Sequence, residues 1–263
     1  MKIDLSGTTA IVTGSTGGIG LAIARGLAGA GASVVVNGRT QAKADAAAAA
    51  IVKAVPGAKA RGVAADVSTA EGCARLVEAV PSADILINNA GIFEPKDFFD
   101  IPDADWTRFF EVNVMSGVRL SRAYLPGMKK RGWGRIVFIS SESALHIPDN
   151  MIHYGMTKTA QLAISRGLAE TCADTQVTVN TVMPGPTLSD GNMAAIAKRA
   201  PGRPLAEVEK EFFEKARPSS LLRRYAQPEE IAPLVAYLCS PLASATNGAA
   251  LRADGGIIRA CIG

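Results

Sequence analysis

The chain contains 263 residues, of which 48% are hydrophobic and 20% are charged. This composition excludes an intrinsically disordered chain, because disordered segments combine low hydrophobicity with high net charge. The formal net charge of +4 is small and the basic residues are dispersed, so nucleic-acid binding is not expected. The only basic triplet, Lys129-Lys130-Arg131, falls where a predicted helix ends, and cations there suit the helix dipole.

Length and cysteine usage favour one domain in a reducing compartment. α/β folds of this length commonly form one domain, and neither a linker nor an internal repeat divides residues 1–263. The four cysteines form no C-x-x-C pair, which argues against disulfides and against a metal site. No apolar stretch approaches the ~18 residues of a membrane span, and a cytoplasmic protein is expected. His146 and His153 are expected in a loop and on a helix surface.

Short β-branched runs alternate with longer helical patterns along the chain. The predicted strands are Thr8–Val12, Ser33–Val36, Ala60–Ala64, Ile85–Ile87, Arg135–Ile139, Val177–Val182 and Ala249–Arg252. The predicted helices are Ile19–Gly29, Gln41–Val55, Ala70–Val80, Asp105–Lys130, Met151–Cys172 and Pro228–Cys239. This alternation predicts an α/β fold with a doubly wound, seven-stranded parallel sheet and helices on both faces. The nearly continuous apolar strands agree with burial on both sides.

The segment 187–226 departs from this alternation, because it has several prolines, a charged helical patch at Glu207–Lys215 and no strand signal. Connections of this length are usually functional lids or disordered segments. After the sixth strand of a doubly wound sheet, the segment would overhang the ligand crevice. A lid is favoured over a disordered insert, because four residues offer apolar anchors: Phe212, Phe213, Leu221 and Leu222.

A glycine-rich turn, Thr13-Gly14-Ser15-Thr16-Gly17-Gly18-Ile19-Gly20, follows the first predicted strand and precedes an apolar helix. Glycines permit a tight turn and let backbone N–H groups approach a pyrophosphate at the helix N-terminus. The spacing differs from G-x-G-x-x-G, and no lysine follows as a P-loop requires. A plain strand-to-helix turn is the alternative.

Tyr154 and Lys158 are four residues apart, and Ser141 precedes the tyrosine by thirteen residues. On a helix this spacing puts the phenol and the ammonium on one face. A positive charge at ~4 Å and an effective dielectric of ~20 is worth about 4 kcal/mol. That would lower a phenol pKa by roughly three units, toward the range of a general acid. The alternative is a helix with one buried tyrosine and one solvated lysine.

Together these features resemble the short-chain dehydrogenase/reductase family, in particular its 3-oxoacyl-carrier-protein reductase branch. The matching motifs are the T-G-x-x-x-G-x-G turn at Gly14–Gly20, Asn88-Asn89-Ala90-Gly91, Asn113, Ser141, Tyr154-x-x-x-Lys158 and Pro184-Gly185. They occur in the family's order and span almost the whole chain. The resemblance implies a single Rossmann domain.

The resemblance also implies a catalytic set of Asn113, Ser141, Tyr154 and Lys158. Tyr154 would exchange a proton with the substrate oxygen, Ser141 would hold that oxygen, and Lys158 would lower the tyrosine pKa and bind the nicotinamide ribose. Asn113 would anchor a water connecting Lys158 to solvent; a core asparagine that kinks the helix is the alternative. Ser140 is the rival of Ser141, and the thirteen-residue offset favours Ser141.

The residues expected to bind the cofactor are Gly14, Ser15, Thr16, Gly18, Ile19, Gly20, Arg39, Asp66, Val67, Asn89, Ala90, Gly91, Tyr154, Lys158, Pro184, Gly185 and Thr187. By resemblance, Gly38 stands where an NAD-selective protein carries an acidic residue, and Arg39 follows it. A guanidinium there suits a 2′-phosphate, so NADP(H) is favoured over NAD(H). A solvated surface arginine is the alternative. Asp66 resembles the residue that binds the adenine amino group.

The expected activity is hydride transfer between a nicotinamide cofactor and a small carbonyl or alcohol substrate. The alternatives are an NAD-linked sugar or polyol dehydrogenase and a non-catalytic nucleotide-binding sensor. A homotetramer or homodimer is expected, packed through Ala160–Ala169 and the tail Gly255–Ile262. Substrates with hydrophobic bulk are weakly favoured by apolar residues of the expected pocket: Phe93, Leu145, Ile147 and Met193.

Overall fold

The β-branched runs of the sequence form one parallel sheet in the computed structural model, which describes residues 2–261. The strands are β1 Thr9–Val12, β2 Ser33–Gly38, β3 Lys59–Ala64, β4 Ile85–Asn88, β5 Gly134–Ile139, β6 Val177–Pro184 and β7 Ala250–Ala253. Their order is β3-β2-β1-β4-β5-β6-β7, and every neighbouring pair is parallel. The predicted doubly wound fold is confirmed, and the strand order reverses between β1 and β4.

Helices cover both faces of this sheet and enclose two large hydrophobic clusters, one on each side. The helices are α1 Gly18–Gly29, α2 Gln41–Ala54, α3 Ala70–Ala79, α4 Asp103–Phe110, α5 Ser116–Arg131, α6 Ile152–Glu170, α7 Asp190–Arg199, α8 Leu205–Lys215 and α9 Pro228–Cys239. α9 is stabilised at its start by a capping box between Gln227 and Glu230 and by Pro228 in its first turn.

The long helix predicted at Asp105–Lys130 is instead two helices joined by a π-helical turn, Glu111–Met115. In this wider turn the Ser116 N–H bonds to the Glu111 carbonyl, five residues back. Such turns are rare and occur often at functional sites. Asn113, a predicted catalytic residue, lies inside it and is buried.

The segment 187–226 is folded, with α7 and α8 and a small hydrophobic cluster of its own. Phe213 and Tyr225 belong to this cluster, and Phe212 packs against it. Leu221 and Leu222, predicted as further anchors, do not belong to it. Their backbone N–H groups bond to Gly255 O, and Leu221 is 84% exposed.

The prediction of a surface position for His153 is wrong. Its side chain is fully buried, with its ring 4.1 Å from that of Phe109, and burial lowers its pKa. His146 is exposed, as predicted.

No helix within residues 2–261 is long and apolar enough to cross a membrane. Of the tail expected to pack between subunits, Ile257 is buried within this chain and Ile262 lies outside the described residues.

Candidate active site

One large cavity of about 1460 Å³ opens at the carboxyl ends of the central strands. It extends from the turn after β1 to α6 and to the segment 187–226. Ligands of open parallel sheets bind at this edge, where the strand order reverses. The cavity exceeds the usual 300–1,000 Å³ of a small-molecule pocket, so its volume allows a dinucleotide and a substrate to be bound at the same time.

The glycine turn forms the floor of the cavity, and its conformation requires glycine. Gly14 and Gly18 have φ of +60° and +53°, a region that L side chains rarely adopt. A Cβ on Gly20 would lie 2.5 Å from Asn89 Nδ2. Asn89 Nδ2 also donates to the Thr13 and Gly14 carbonyls, at 2.8 and 3.1 Å, which ties β4 to the turn.

Ser15 is an exception among the predicted cofactor contacts. It is fully buried and does not line the cavity. Its hydroxyl donates to the Val12 carbonyl at 2.6 Å and accepts from Asn37 N at 3.1 Å, and its N–H donates to the Asn37 carbonyl. Because both polar groups are used inside the protein, Ser15 holds the turn against β2, and its cofactor contact stays a prediction.

A carboxylate from the segment 187–226 reaches the same turn. Asp190 Oδ2 accepts a hydrogen bond from Gly18 N at 3.0 Å. The N-terminus of α1 therefore already attracts one anionic group, as helix N-termini with free N–H donors do. A Cβ on Gly17 would lie 2.4 Å from the same oxygen, so glycine is needed there too.

At the far end of the cavity, basic side chains lie near the carboxyl end of β2. Arg39 lines the wall, as predicted, and so does Lys43 from the first turns of α2. Gly38 lies between them and the glycine turn, and a Cβ there would be 2.4 Å from Thr16 Cγ2. Asp66 also lines this end, and one of its oxygens accepts from Ser68.

The remaining predicted site residues fall into two groups: cofactor-binding residues that line the cavity, and the catalytic residue Asn113, which does not. Thr16, Gly18, Ile19, Val67, Asn89, Ala90, Gly91, Pro184, Gly185 and Thr187 all line the cavity. Asn113 does not: its side chain bonds to the backbone of Ile92 and to Thr157 Oγ1. Asn113 therefore acts behind the cavity wall, where it joins the π-turn to the chain after β4 and to α6.

Tyr154 and Ser141 meet at the cavity wall. Ser141 Oγ accepts from Ser143 N at 3.1 Å, which leaves its hydroxyl hydrogen available to Tyr154 or to a ligand. Its neighbour Ser140 donates to the Lys158 carbonyl at 2.8 Å and is thereby occupied. The ring of Phe93 packs edge-on against Tyr154, with centroids 6.3 Å apart. The geometry favours Ser141 over Ser140 as the hydroxyl available to a ligand.

Burial dominates the protonation of this pair. It raises the pKa of Tyr154 above its ordinary value, and the hydrogen bond with Ser141 only partly opposes the rise. Burial also lowers the pKa of Lys158 to about 7. The expected lowering of the Tyr154 pKa by Lys158 is therefore not seen: the ammonium is 5.6 Å from the centre of the phenol ring and is itself poorly solvated.

Gln161 connects Lys158 to the π-turn. Lys158 Nζ donates to the Ile139 carbonyl at 2.9 Å and to Gln161 Oε1 at 3.4 Å. The other end of this carboxamide, Nε2, donates to the Asn113 backbone carbonyl. A buried side chain thus spans the gap in which the family resemblance implied a water molecule.

The substrate end of the cavity has a mixed lining. Phe93 lines it as predicted, whereas Leu145, Ile147 and Met193 do not; other apolar residues, Pro148, Met151 and Phe212, line the wall instead. Polar and charged side chains share this wall with them: Glu142, Ser143, Asn150, Asn192 and Arg217.

Sequence reasoning missed several residues at this cavity. Lys43 could have been found, because it lies four residues after Arg39, in the first turn of the predicted helix that follows the second strand. Asp190 and Arg217 carried no motif, and only folding brings them to Gly18 and Glu142, 172 and 75 residues away in sequence. Gln161 follows Lys158 by three residues, a spacing that puts both on one helix face. Nothing in the sequence indicates that this polar side chain is buried.

Comparison with known proteins identifies relatives that match nearly the whole chain. The family described as "Enoyl-(Acyl carrier protein) reductase" matches residues 14–258. The chain is 52% identical over 261 residues to the uncharacterized oxidoreductase YvaG of Bacillus subtilis (98% of this chain, 99% of that protein). It is 36% identical over 261 residues to the 3-oxoacyl-[acyl-carrier-protein] reductase FabG of Aquifex aeolicus (98% of this chain, 100% of that protein).

Among solved structures, the L-sorbose reductase of Gluconobacter frateurii, complexed with NADPH and L-sorbose, superposes with a TM-score of 0.92. It is 33% identical, and the match covers 99% of this chain and 100% of that one. The similarity therefore extends over the whole fold, including the segment 187–226.

Proposed function

Since the chain belongs to the short-chain dehydrogenase/reductase family, as an oxidoreductase of the 3-oxoacyl-carrier-protein reductase type, we propose that it interconverts a carbonyl and an alcohol with NADP(H). One observation carries this proposal: Ser141 and Tyr154 lie side by side on the wall of the cavity whose floor is the glycine turn. A bound nicotinamide cofactor supplies or accepts the hydride. The residues present fit such a cofactor, because each glycine of the floor occupies a position that a Cβ would fill or strain.

Ser141, Tyr154 and Lys158 have different roles in the proposed reaction. Ser141 donates its free hydrogen to the substrate oxygen and fixes the carbonyl in the reactive orientation. Tyr154 is protonated at neutral pH. Burial raises its pKa and weakens it as an acid, but the phenol remains a stronger acid than the alcohol being formed, so it can donate its proton to that oxygen during reduction. Lys158, held by Ile139 and Gln161, faces the cavity with its remaining N–H and binds the nicotinamide ribose. Asn113 and Gln161 hold this lysine in place.

The preference for NADP(H) rests on Arg39 and Lys43 together. Both line the cavity at the end of β2, and neither forms an ion pair with another described residue. Two cations suit a 2′-phosphate, and Gly38 leaves no carboxylate to bind the free ribose hydroxyls. The likeness to an NADPH-complexed reductase agrees with this reading.

A sugar or polyol dehydrogenase is the second candidate. The likeness to a reductase complexed with L-sorbose favours it, and so do the polar side chains at the substrate end of the cavity, Ser143, Asn150 and Asn192. A non-catalytic nucleotide sensor is disfavoured, because all four catalytic positions carry competent side chains. A screen of ketones and alcohols with both cofactors, followed by nicotinamide absorbance, tests the proposal. Absence of turnover across the screen, with NADPH binding intact, would favour the sensor.

We further propose that the protein works as a cytoplasmic homo-oligomer and that the segment 187–226 closes over bound ligands. Exposed small residues on α6, Ala163 and Gly167, suit close packing against a second copy. Sedimentation would reveal a stable monomer if this assembly is wrong.

Removing the charge of Asp190 is expected to strengthen NADPH binding. Its carboxylate lies at the N-terminus of α1, next to the place proposed for the pyrophosphate, and like charges repel there. Asp190→Asn keeps an oxygen for Gly18 N while removing the charge, so we expect the NADPH dissociation constant to fall about 3- to 10-fold at low salt. Calorimetric titration measures it, with Asp174→Asn, away from the cavity, as control. Weaker binding in Asp190→Asn would contradict the expected repulsion.

A carboxylate at position 161 is expected to shift the pH dependence of NADPH binding. The charged form of Lys158 is lost as the pH rises through about 7, so the affinity that depends on this charge declines there. Gln161→Glu places an anion beside Nζ and raises the pKa of Lys158, moving the decline upward by about 1–2 pH units. Fluorescence titrations across pH measure this. Gln176→Glu, an exposed control, should leave the profile unchanged; an unchanged profile in Gln161→Glu itself would contradict the assigned contact.

A further inference from the structure

A buried ion pair joins the segment 187–226 to the loop that carries Ser141. Arg217 Nε donates to Glu142 Oε1 at 2.9 Å, and these side chains are only 9% and 4% exposed. Both line the cavity. Glu142 follows Ser141 directly, with Cα atoms ~3.8 Å apart, so the pair lies within a small molecule's length of the hydroxyl proposed to hold the carbonyl.

Arg217 has N–H donors that the ion pair does not use. Its Nη1 donates to the Ala216 carbonyl at 2.9 Å, while Nη2 makes no hydrogen bond within residues 2–261. Both Glu142 oxygens are occupied, one by Arg217 and the other by the Ser143 hydroxyl at 2.6 Å. Glu142 therefore orients the guanidinium, and the free edge of the guanidinium is what the cavity offers to a ligand.

Tyr225 and Arg199 lie close together at this wall. Both residues line the cavity, but the Tyr225 hydroxyl itself is buried away from solvent. Burial raises the pKa of Tyr225, and the neighbouring Arg199 opposes that rise by its charge and by hydrogen bonding. The donor that this wall offers to a ligand is therefore the Arg217 guanidinium and not the Tyr225 phenol.

The charges of the wall favour an anion. Between α7 and the end of α8 the cavity is lined by Arg199, Arg203, Lys215 and Arg217. Glu211 pairs with both Arg203 and Lys215, and Glu142 pairs with Arg217. Asp190, at the start of α7, lines the cavity as well, so four cations face three carboxylates. This leaves a small positive excess in a partly enclosed space, where opposite charges attract more strongly than in water.

We propose that the substrate is a keto acid or the corresponding hydroxy acid, with its carboxylate bound by the free edge of Arg217. This substrate class rests on the proposed carbonyl–alcohol activity and replaces the apolar substrate expected from sequence. A guanidinium edge matches a carboxylate in shape as well as in charge. Arg217 is accordingly a specificity-determining residue, and Glu142 positions it.

The test compares acids with matched neutral compounds. 5-Oxohexanoate is set against its methyl ester, and 5-keto-D-gluconate against L-sorbose, each with NADPH. We expect kcat/KM to favour each acid about 10- to 100-fold, since a charge-assisted hydrogen bond is made only by the acid. The double variant Glu142→Gln with Arg217→Gln, which leaves no unpaired buried charge, should lose this preference, measured as the ratio of kcat/KM for acid and ester within the same variant, so that a general change in activity cancels.

Two further variants and one binding measurement complete the test. Arg224→Gln removes an exposed arginine that pairs with Glu230 outside the cavity, and it should keep the preference. Arg217→Lys, which retains charge without the planar fork, should fall between wild type and the double variant. Calorimetric binding of 5-oxohexanoate to the complex with NADP⁺ gives a readout without turnover.

The outcomes distinguish a failure of the carboxylate site from a failure of the proposed carbonyl–alcohol activity. Tighter binding of the acid than of the ester, lost in the double variant, supports the carboxylate site even if no compound is reduced; the missing turnover would then count against the proposed activity alone. Equal or faster reduction of the ester, or of L-sorbose over the sugar acid, would overturn the carboxylate site and leave the activity standing. Equal loss of both substrates in the double variant, with acid and ester bound equally, would overturn it as well.

Discussion

Replacing Tyr154 with phenylalanine is expected to lower kcat about 10²- to 10⁴-fold, the usual contribution of a positioned general acid. The loss should appear mainly in turnover, with NADPH affinity changed much less, because the phenol hydroxyl is proposed to act on the substrate oxygen and the other predicted cofactor contacts remain in place. Phenylalanine fills the same space and keeps the edge-on contact with Phe93, so the free energy of unfolding should change little.

Steady-state kinetics on the best substrate of the screen, together with an NADPH titration, measures both quantities. Tyr237→Phe is the matched control, since Tyr237 lies in α9 and does not line the cavity. Retention of most turnover in Tyr154→Phe would remove the proposed mechanism. Loss of NADPH binding in parallel would instead assign the phenol a role in holding the cofactor.

Removing both basic residues at the end of β2 is expected to abolish discrimination between the two cofactors. In the double variant Arg39→Gln with Lys43→Gln, the NADPH dissociation constant should rise roughly 30- to 100-fold, because about 2–3 kcal/mol of charge-assisted bonding is lost at a solvent-exposed site. NADH has no 2′-phosphate, so its dissociation constant should change less than about threefold.

Lys53→Gln serves as the charge-matched control, since Lys53 lies in the last turn of the same helix and outside the cavity. The wild-type preference should weaken as salt rises, because exposed charges are screened. A tenfold preference of the wild-type protein for NADH would contradict the assignment of Arg39 and Lys43 to a phosphate.

The sheet could be predicted almost completely from sequence, because each strand is a short β-branched run buried on both faces. β6 and its neighbours begin within a residue of the predicted positions, and α9, with Pro228 in its first turn, matches at both ends. α7 was missed because only Ile196 of its ten residues is buried, so no apolar stripe marks it. The π-turn at Asn113 was missed because an inserted residue in a helix leaves no periodicity of its own.

In the candidate site, too, some features could be predicted from the sequence and others could not. Spacing and order could identify the glycine turn, Ser141, Tyr154 and Lys158, because local geometry places each of them at a strand end or on one helix face. The sign of the Tyr154 pKa shift could not be predicted, since it depends on burial, which the sequence does not display. The same holds for the contact between Glu142 and Arg217, which the tertiary fold alone creates.

The central claim is that this cavity transfers hydride to a carbonyl carbon while Tyr154 supplies the proton. Incubation with NADPH carrying deuterium at the transferable position, followed by mass spectrometry of the alcohol formed from 5-oxohexanoate or another ketone of the screen, tests it most directly. We predict one deuterium on the carbinol carbon with the wild-type protein, and a product yield reduced at least about 100-fold with Tyr154→Phe. An alcohol without deuterium, or equal labelled yield from both proteins, would contradict the claim.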